Sequence, residues 1–229
     1  MARTVTVTSI IDQLKQLADI ENETGSDHRF TTAELATYVS QSWCELYNEI
    51  VLNNNDEFLS STNYTLVSGT ESYALPSDFY LDRGVDLTSS GYSYTLHRWS
   101  FEEREVYQFT GAYTYGMPTA YRVIGENLTF KPVPTGTGNT AKLWYYPTPT
   151  VLTSGSSING IAGFEEFLVC DGAAKALAKD NRSDPVILQR RDRAMAVCRA
   201  ALTGRSHSHP DRITRRQYST EPLRKPYPR

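Results

Sequence analysis

Two groups of carboxylates have the residue type that acid–base catalysis or calcium binding requires. They are Asp78, Asp82 and Asp86, and Glu102, Glu103 and Glu105. A spacing of four aligns the aspartates only on a helix, whereas Pro76 and Gly84 predict turn and strand there. We therefore interpret the aspartates as caps of turns. The glutamates are interpreted as the polar face and first turn of a short helix, where their negative charge stabilises the helix N-terminus through the helix dipole.

Histidines could bind a metal ion and glycine-rich loops could bind phosphate, but neither pattern is well developed in this sequence. The four histidines are His28, His97, His207 and His209. The last two form a His-x-His pair, but no cysteine or carboxylate cluster stands at metal-ligand spacing beside it, so surface histidines are the preferred interpretation. Gly136-x-Gly138 resembles part of a phosphate loop, yet a strand follows it instead of a helix N-terminus. The sequence therefore predicts no metal, no cofactor and no catalytic site.

Charge is distributed unevenly along the 229 residues, whose net charge is −3. From residue 204 onward there are seven basic and two acidic residues, a net charge of +5, so the first 203 residues carry −8. Four arginines, at 190, 191, 193 and 199, lie in a helical pattern and could contact nucleic acid. Salt bridges to the acidic body, or a solvated face, are the preferred interpretation.

The cysteines and the first residues of the chain indicate the cellular compartment in which the protein folds. Cys44, Cys170 and Cys198 are odd in number and far apart, and each stands in an apolar helical pattern, so buried thiols are expected. No apolar stretch approaches the length of a membrane helix, and no signal-peptide pattern precedes residue 12. We expect a soluble protein that folds in the cytoplasm, without membrane contact.

Helices are predicted at the two ends of this pattern. Ser9 is predicted to open a short amphipathic helix, and Thr31 with Glu34 forms a capping box before a longer helix that ends at the asparagines 53–55. Near the other end, one helix is predicted from about Phe164, and a second follows Asp184 and Pro185. The final residues contain prolines and no apolar periodicity, which predicts an extended tail.

The middle of the chain switches to the two-residue period of strands. Hairpins are predicted around the turn at 68–70 and around the turn at 89–91, with a further turn at 125–127. Residues 126–149 are predicted to form two strands joined by a glycine-rich turn, and a short helix follows Ser100. The tyrosines of these strands suit half-buried faces, although they could also stack on bases or sugars.

These segments predict an α+β fold in which terminal helices form a bundle and an antiparallel β-hairpin or meander module is inserted between them. The expected division is 1–57 for the first helices, 58–160 for the β-rich module, 161–203 for the last helices and 204–229 for the extended basic tail.

The order of four motifs adds a family resemblance. Leu75–Phe79 reads LPxDF, Pro118–Tyr121 reads Pro-x-x-Tyr, and an LTFKPVP strand leads to an LWYYP strand before a Phe-rich helix. In this order, over about residues 31–203, the chain resembles the head-to-tail adaptors of tailed bacteriophages, also called head-completion or tail accessory proteins.

The resemblance implies a ring, commonly of twelve copies, between the portal protein and a tail nozzle or other tail proteins. Double-stranded DNA would pass through its lumen without sequence-specific binding. The protein would be assembled in the host cytoplasm and reside in the virion at the head–tail junction. An acidic lumen is expected, because it repels phosphate and lets the duplex slide.

Two contact regions are expected on this basis. A C-terminal extension that reaches the portal matches the basic tail, whose candidate anchors are Arg212, Arg215, Arg216, Tyr218, Leu223, Arg224, Lys225 and Tyr227. The glycine-rich loop is expected to touch a tail protein through Thr135, Gly136, Thr137, Gly138 and Asn139.

Two other function classes remain open at this stage. A tail-associated peptidoglycan-degrading enzyme would need two carboxylates about 5 to 9.5 Å apart in a cleft, and no such pair stands out. A glycan- or host-binding module would use the tyrosine-rich strands. The structural adaptor, without enzymatic activity, is the preferred hypothesis.

Overall fold

A computed structural model describes residues 3–21, 29–53, 56–104, 115–160 and 164–205 of the chain. It contains four α-helices: α1 (Val7–Ala18), α2 (Thr32–Leu52), α3 (Glu165–Lys179) and α4 (Pro185–Arg205). The strands are β1 (Arg3–Thr6), β2 (Ser60–Thr65), β3 (Ser72–Ala74), β4 (Phe79–Ser89), β5 (Tyr92–Arg98), β6 (Tyr115–Gly116), β7 (Ala120–Ile124), β8 (Asn127–Lys131), β9 (Val133–Pro134), β10 (Thr140–Pro147) and β11 (Ser157–Gly160). The α+β prediction is confirmed.

The first helix begins earlier than predicted. Its N-cap is Thr6, whose side chain accepts a hydrogen bond from the backbone N–H of Ser9, so the assignment of Ser9 as the first residue is wrong. Thr6 also ends β1, which pairs with β11 in an antiparallel two-stranded sheet. This pairing joins segments about 150 residues apart, and neither strand was predicted. The end of a strand therefore supplies the cap of the helix.

The Thr31 half of the predicted capping box is confirmed, whereas the Glu34 carboxylate accepts hydrogen bonds from Tyr38 and Lys179. Thr31 Oγ1 accepts a hydrogen bond from the backbone N–H of Glu34 at 3.1 Å, and the helix ends at Leu52 with Asn53 as its C-cap. Asp184 caps α4 through the backbone N–H of Val186 at 2.8 Å, as predicted from the Asp-Pro pair. Local side-chain chemistry sets these boundaries.

Helices α1, α2, α3 and α4 enclose one apolar cluster, which we call the helical core. Its fully buried members include Ile10, Leu14, Leu35 and Leu46. Gly172 of α3 lies directly against Leu14, because a Cβ atom at this position would stand 2.6 Å from the Leu14 Cδ1 atom. The helices α1 and α3 therefore cross closely. None of the helices that the structure describes is both long and apolar enough to span a membrane.

The β-rich module is built on a seven-stranded sheet with the order β2-β10-β4-β5-β7-β8-β3. The β4–β5 hairpin and the β7–β8 turn are confirmed, and most neighbours are antiparallel, with a parallel pair between β5 and β7. A separate parallel pair joins β6 and β9.

Two predicted hairpins are wrong. Strands β2 and β3 pair with β10 and β8 instead of with each other. Strands β8 and β10, the two strands of 126–149, are separated in the sheet by β4, β5 and β7. Each of these strands buries its apolar face against distant strands, so adjacency along the chain does not decide the pairing.

The sheet curls around a second apolar cluster, which we call the β core, with members such as Leu87, Leu128, Phe130 and Leu143. Its two edge strands approach each other through tyrosines. The Tyr64 and Tyr73 rings lie 5.8 Å apart, and the Tyr64 hydroxyl donates a hydrogen bond to the backbone carbonyl of Ala74. Side chains thus bridge the edges of an incompletely closed barrel.

Strand β10 connects the two cores. Successive side chains of a strand point to opposite faces, so Tyr145 lies in the β core and Tyr146 in the helical core. The register of β10 against β4 is irregular between Trp144 and Tyr145. On the helical side, Phe58 packs against Trp43 and Tyr47 at ring separations of 5.7 and 5.1 Å. The β-rich module is therefore attached to α2 through aromatic contacts.

Candidate functional site

The candidate catalytic aspartates are hydrogen-bond acceptors for side chains of the sheet. Asp78 accepts from the Tyr145 hydroxyl at 3.0 Å. Asp86 accepts from Trp144 Nε1 and from Thr95 Oγ1, each at 2.7 Å. These bonds fix the orientation of Trp144 and Tyr145 on β10. The interpretation of Asp78 and Asp86 as caps of turns is therefore wrong, because their side chains bind residues of other strands.

The third aspartate, Asp82, forms an ion pair with Arg98 and accepts a hydrogen bond from the Tyr121 hydroxyl at 3.1 Å. The pKa of Arg98 is raised, mainly by its hydrogen bond to Asp82. Burial, followed by the Asp82 charge, raises the pKa of Tyr121 to about 12. The Tyr121 hydroxyl therefore stays protonated and donates its hydrogen bond to the Asp82 carboxylate. Together with the Arg98 ion pair, this bond holds strands β4, β5 and β7 to one another.

The glutamates after Ser100 show the features of a helix start. Glu103 Oε2 accepts a hydrogen bond from the backbone N–H of Ser100 at 2.6 Å. Hydrogen bonds from its own backbone and from Ser100 lower the pKa of Glu102. A glycosidase needs a general acid whose pKa is raised, so Glu102 has the opposite shift. Glu105 lies outside the described residues.

Histidines and cysteines bring no ligand set together in the described part of the chain, where no three His, Cys, Asp or Glu side chains are grouped for a metal ion. His97 Nδ1 lies 3.1 Å from the Thr119 carbonyl oxygen, and the other three histidines lie outside the described residues. Burial raises the pKa of Cys170 and of Cys198 to about 11. Both are buried thiols, as predicted, whereas Cys44 is half-buried.

The arginine face of α4 is used mainly inside the protein. Arg190 pairs with Glu166 of α3 at 2.6 Å, and Arg199 binds both oxygens of the Glu49 carboxylate of α2 at 2.9 and 3.0 Å. These pairs confirm the preferred interpretation of salt bridges to the acidic body. Arg193 is exposed.

The glycine-rich loop lies where three connections meet at one end of the sheet, which we call the distal end: 66–70, 89–91 and 135–139. Thr135, Gly136, Thr137 and Gly138 are exposed, and Asn139 is half-buried. Strand β10 runs from this end toward the helical core, and its eight residues span about 25 Å at 3.2–3.4 Å per residue. The loop is therefore remote from the helices.

Backbone hydrogen bonds hold the loop against 66–70. The Leu66 N–H donates to the Asn139 carbonyl at 2.8 Å, and the Gly69 N–H donates to the Pro134 carbonyl at 2.8 Å. Gly138 has a φ of +92°, a conformation that side-chain-bearing residues rarely adopt. The sequence indicated a turn at 68–70, but did not indicate that this turn supports the loop.

The eight candidate portal-binding residues, Arg212, Arg215, Arg216, Tyr218, Leu223, Arg224, Lys225 and Tyr227, all lie outside the described residues. Their role stays a prediction. Helix α4 is described as far as Arg205, so residues 204 and 205 of the predicted tail are helical.

Comparison with known protein families gives one match, the family described as SU10 adaptor protein, over residues 5–225. The chain belongs to this family. No curated protein matches the chain. The SU10 adaptor match extends beyond the 31–203 segment that carries the motif resemblance, because it also includes α1 and most of the basic tail. As a member of a bacteriophage adaptor family, the protein is a structural adaptor of the phage particle.

Proposed function

We propose that this adaptor forms a ring, of about twelve copies, that joins the portal of the capsid to the tail and surrounds the DNA channel. The observation that carries the proposal is the SU10 adaptor match over residues 5–225, which includes both modules and most of the tail segment. The described structure supports it, because Asp78, Asp82 and Asp86 each bind side chains of neighbouring strands.

The proposed roles follow the four segments 1–57, 58–160, 161–203 and 204–229. The two helical segments form the body of the ring, and the distal end of the β-rich module contacts a tail protein. The remoteness of the distal end from the helical core supports this assignment. Its exposed loop is anchored by backbone hydrogen bonds, so little conformational entropy is lost when a partner binds.

The basic tail is the proposed contact with the portal. It carries a net charge of +5 and three prolines after residue 220, a composition that disfavours an independent core. Such a segment can order on a partner's surface, and its arginines and tyrosines are residue types that anchor interfaces. Assembly would then be sequential, because the tail would order only on the portal.

The acidic body supports the proposed passage of DNA. With a net charge of −8 in residues 1–203, the body repels phosphates, so a lumen drawn from it would not retain the duplex. A ring map that places an arginine-lined lumen in close phosphate contact would contradict this part of the proposal.

The proposal is tested by mixing the protein with its portal and measuring the mass of the products by native mass spectrometry. We expect a defined ring on the portal for the full chain and no complex after deletion of residues 206–229. A variant in which residues 135–139 are replaced by alternating serine and glycine serves as the control, because it should bind the portal normally. Full binding by the truncated chain would remove the tail from the proposal.

A further inference from the structure

A cleft on the β-rich module lies beside the segment that contains Glu102 and Glu103. Its volume is about 420 Å³, and its lining includes Trp99, Phe101, Arg104, Arg122, Lys131 and Glu71. Three of these side chains are basic and one is acidic, whereas the first 203 residues as a whole carry a net charge of −8. The cleft is thus a basic site in an acidic body.

Arg122 has an unused hydrogen-bond donor in this cleft. Its guanidinium carbon lies 5.0 Å from the centroid of the Trp99 ring and 5.5 Å from that of Phe101. Its Nη1 atom is buried and has no hydrogen-bond partner among the described residues. A buried donor without a partner is costly, and stacking on aromatic rings holds the guanidinium in a fixed orientation. The site is therefore preorganised for an acceptor.

The other charges of the cleft leave this donor available. Lys131 is paired with Glu71 at 2.8 Å. Arg104 lies over the Phe101 ring at 4.0 Å and donates to the Phe101 backbone carbonyl at 2.7 Å. In the described part of the chain, neither Arg104 nor Arg122 forms an ion pair. Among the described residues, two cations and an aromatic wall thus face the cleft without an ion pair, although the charges of both arginines also act on Glu102 and help to lower its pKa.

We infer that this cleft binds a carboxylate side chain from an acidic segment of a partner protein, with the carboxylate on Arg122 and an adjoining apolar side chain against Ile124. Ile124 lines the cleft and is 50% exposed, so it offers apolar surface beside the charge. A carboxylate matches the planar fork of a guanidinium and satisfies the unused donor.

A carboxylate on a peptide fits better than the backbone of duplex DNA. The cleft is concave, with aromatic rings and Glu71 in its lining, and the glutamate would repel a row of phosphates. The acidic charge of the surrounding body adds to this repulsion. A single carboxylate needs only the local charge of Arg122 and Arg104.

The test uses the full chain labelled with ¹⁵N and, as the probe, a short acetylated and amidated peptide with one glutamate beside a leucine and glycines elsewhere. We expect the NMR signals of the Trp99 indole N–H and the Arg122 Nε–H to shift on titration, with saturation. The same peptide with glutamine in place of glutamate should produce no comparable shift. If the two peptides bind equally, a carboxylate is not the ligand, and the inference is overturned.

Variants locate the site. We expect Arg122→Gln to weaken binding of the acidic peptide by about tenfold or more, as for the loss of a charge-assisted hydrogen bond, and Arg122→Lys to recover part of the affinity. Lys142→Gln is the matched control, because it removes a cation that lies 3.8 Å from another aromatic ring, that of Trp144. It should bind like the wild type. Circular dichroism confirms that each variant is folded.

Two results would overturn the inference: Arg122→Gln binding the peptide like the wild type, or a short DNA duplex shifting the same two signals at lower concentration than the peptide. The second result would identify a phosphate site. Since the probe replaces the partner, neither outcome depends on whether the protein forms a ring or binds the portal.

Discussion

The helical core and the β core are stabilised in different ways. In the helical core, four helices bury a large continuous apolar cluster, and ion pairs such as Arg199–Glu49 lie at its periphery. The β core is smaller, and carboxylates on β4 or just before it hold the tyrosine and tryptophan side chains of neighbouring strands. The sheet thus supplements a limited apolar core with half-buried hydrogen bonds to carboxylates.

This difference suggests separate roles in assembly. Close packing would suit the part that repeats around the proposed ring, because small displacements in each copy would add up. Hydrogen bonds between strands, in contrast, keep a thin sheet stiff while leaving its faces polar enough to remain in solvent before a partner binds. The predictions below test whether the two cores are independent.

The largest effect is expected for Phe130→Ala, which empties the centre of the β core. Phe130 is fully buried, and the substitution should lower the free energy of unfolding by about 3–5 kcal/mol. Hydrogen exchange measured by mass spectrometry should show faster exchange in β4, β7, β8 and β10, with little change in α1, α2 and α3.

Leu46→Ala is the counterpart in the helical core and should give the reverse pattern of exchange at a cost of about 2–5 kcal/mol. If either substitution accelerated exchange equally in both modules, the two cores would form one cooperative unit. The helical core and the β core would then not be stabilised independently.

The second effect concerns Asp171, a buried acid of the helical core. Asp171 Oδ2 accepts hydrogen bonds from Ser42 Oγ at 2.7 Å and lies 2.6 Å from Lys175 Nζ. Asp171→Asn should lower the free energy of unfolding by about 2–3 kcal/mol, below the usual cost of breaking a buried pair because Lys175 keeps Glu45 as a partner.

Urea unfolding measures this cost, with Asp192→Asn as the matched control. The Asp192 side chain is 68% exposed, so its substitution should change stability by less than about 0.5 kcal/mol. Equal effects of the two substitutions would show that burial of Asp171 is unimportant.

Local features were predicted from the sequence, and long-range pairings were not. The Thr31 cap, the Asp184 cap and the β4–β5 hairpin each depend on residues within a few positions of one another, and all three are confirmed. The pairs β1–β11 and β2–β10 join distant segments whose alternation of apolar residues fits several partners. The pairing is decided by which arrangement of strands buries the apolar side chains together in one core.

The same limit applies to the candidate sites. The glycine-rich loop could be identified, because its composition predicts an exposed turn, but its support at 66–70 depends on the pairing of β2 with β10. The cleft around Arg122 could not be identified at all. Its aromatic residues, Trp99 and Phe101, follow the end of β5, and no spacing in the sequence connects them with Arg122 on β7.

A third prediction compares the packing of the two modules at their glycines. Gly172→Val should lower the free energy of unfolding by about 1–2 kcal/mol, because the added atoms would overlap the buried Leu14 side chain. Gly84→Val is the matched control, since no atom lies within 4 Å of a Cβ atom at Gly84 and valine favours strands.

Thermal unfolding should therefore show a lower Tm for the first variant and an unchanged or slightly higher Tm for the second. A destabilised Gly84→Val protein would indicate that the sheet is packed on that face by something other than the described residues. An unaffected Gly172→Val protein would mean that α1 and α3 can separate without cost.

The smallest effect concerns the ion pair between Glu49 of α2 and Arg199 of α4. The hydrogen bond from Arg199 lowers the pKa of Glu49 below its ordinary value of 4.5, against the opposing effect of burial. Because the folded-state pKa is the lower one, the pair contributes its full stability above about pH 5 and loses it as the pH falls through the folded-state pKa. The side chains are 29% and 58% exposed, so solvent screening keeps the contribution below about 1 kcal/mol.

Glu49→Gln should therefore lower the Tm slightly at pH 7, and the difference from the wild type should shrink as the pH falls through the folded-state pKa of Glu49, where the wild type loses this charge. Arg199→Gln and the double variant complete a cycle that isolates the pair, and added salt should reduce the coupling. A difference that stayed constant over the whole acidic range would assign the effect to packing of the side chain. If the coupling vanishes at low pH as expected, α4 is held by apolar burial, and its peripheral arginines mainly orient it against α2 and α3.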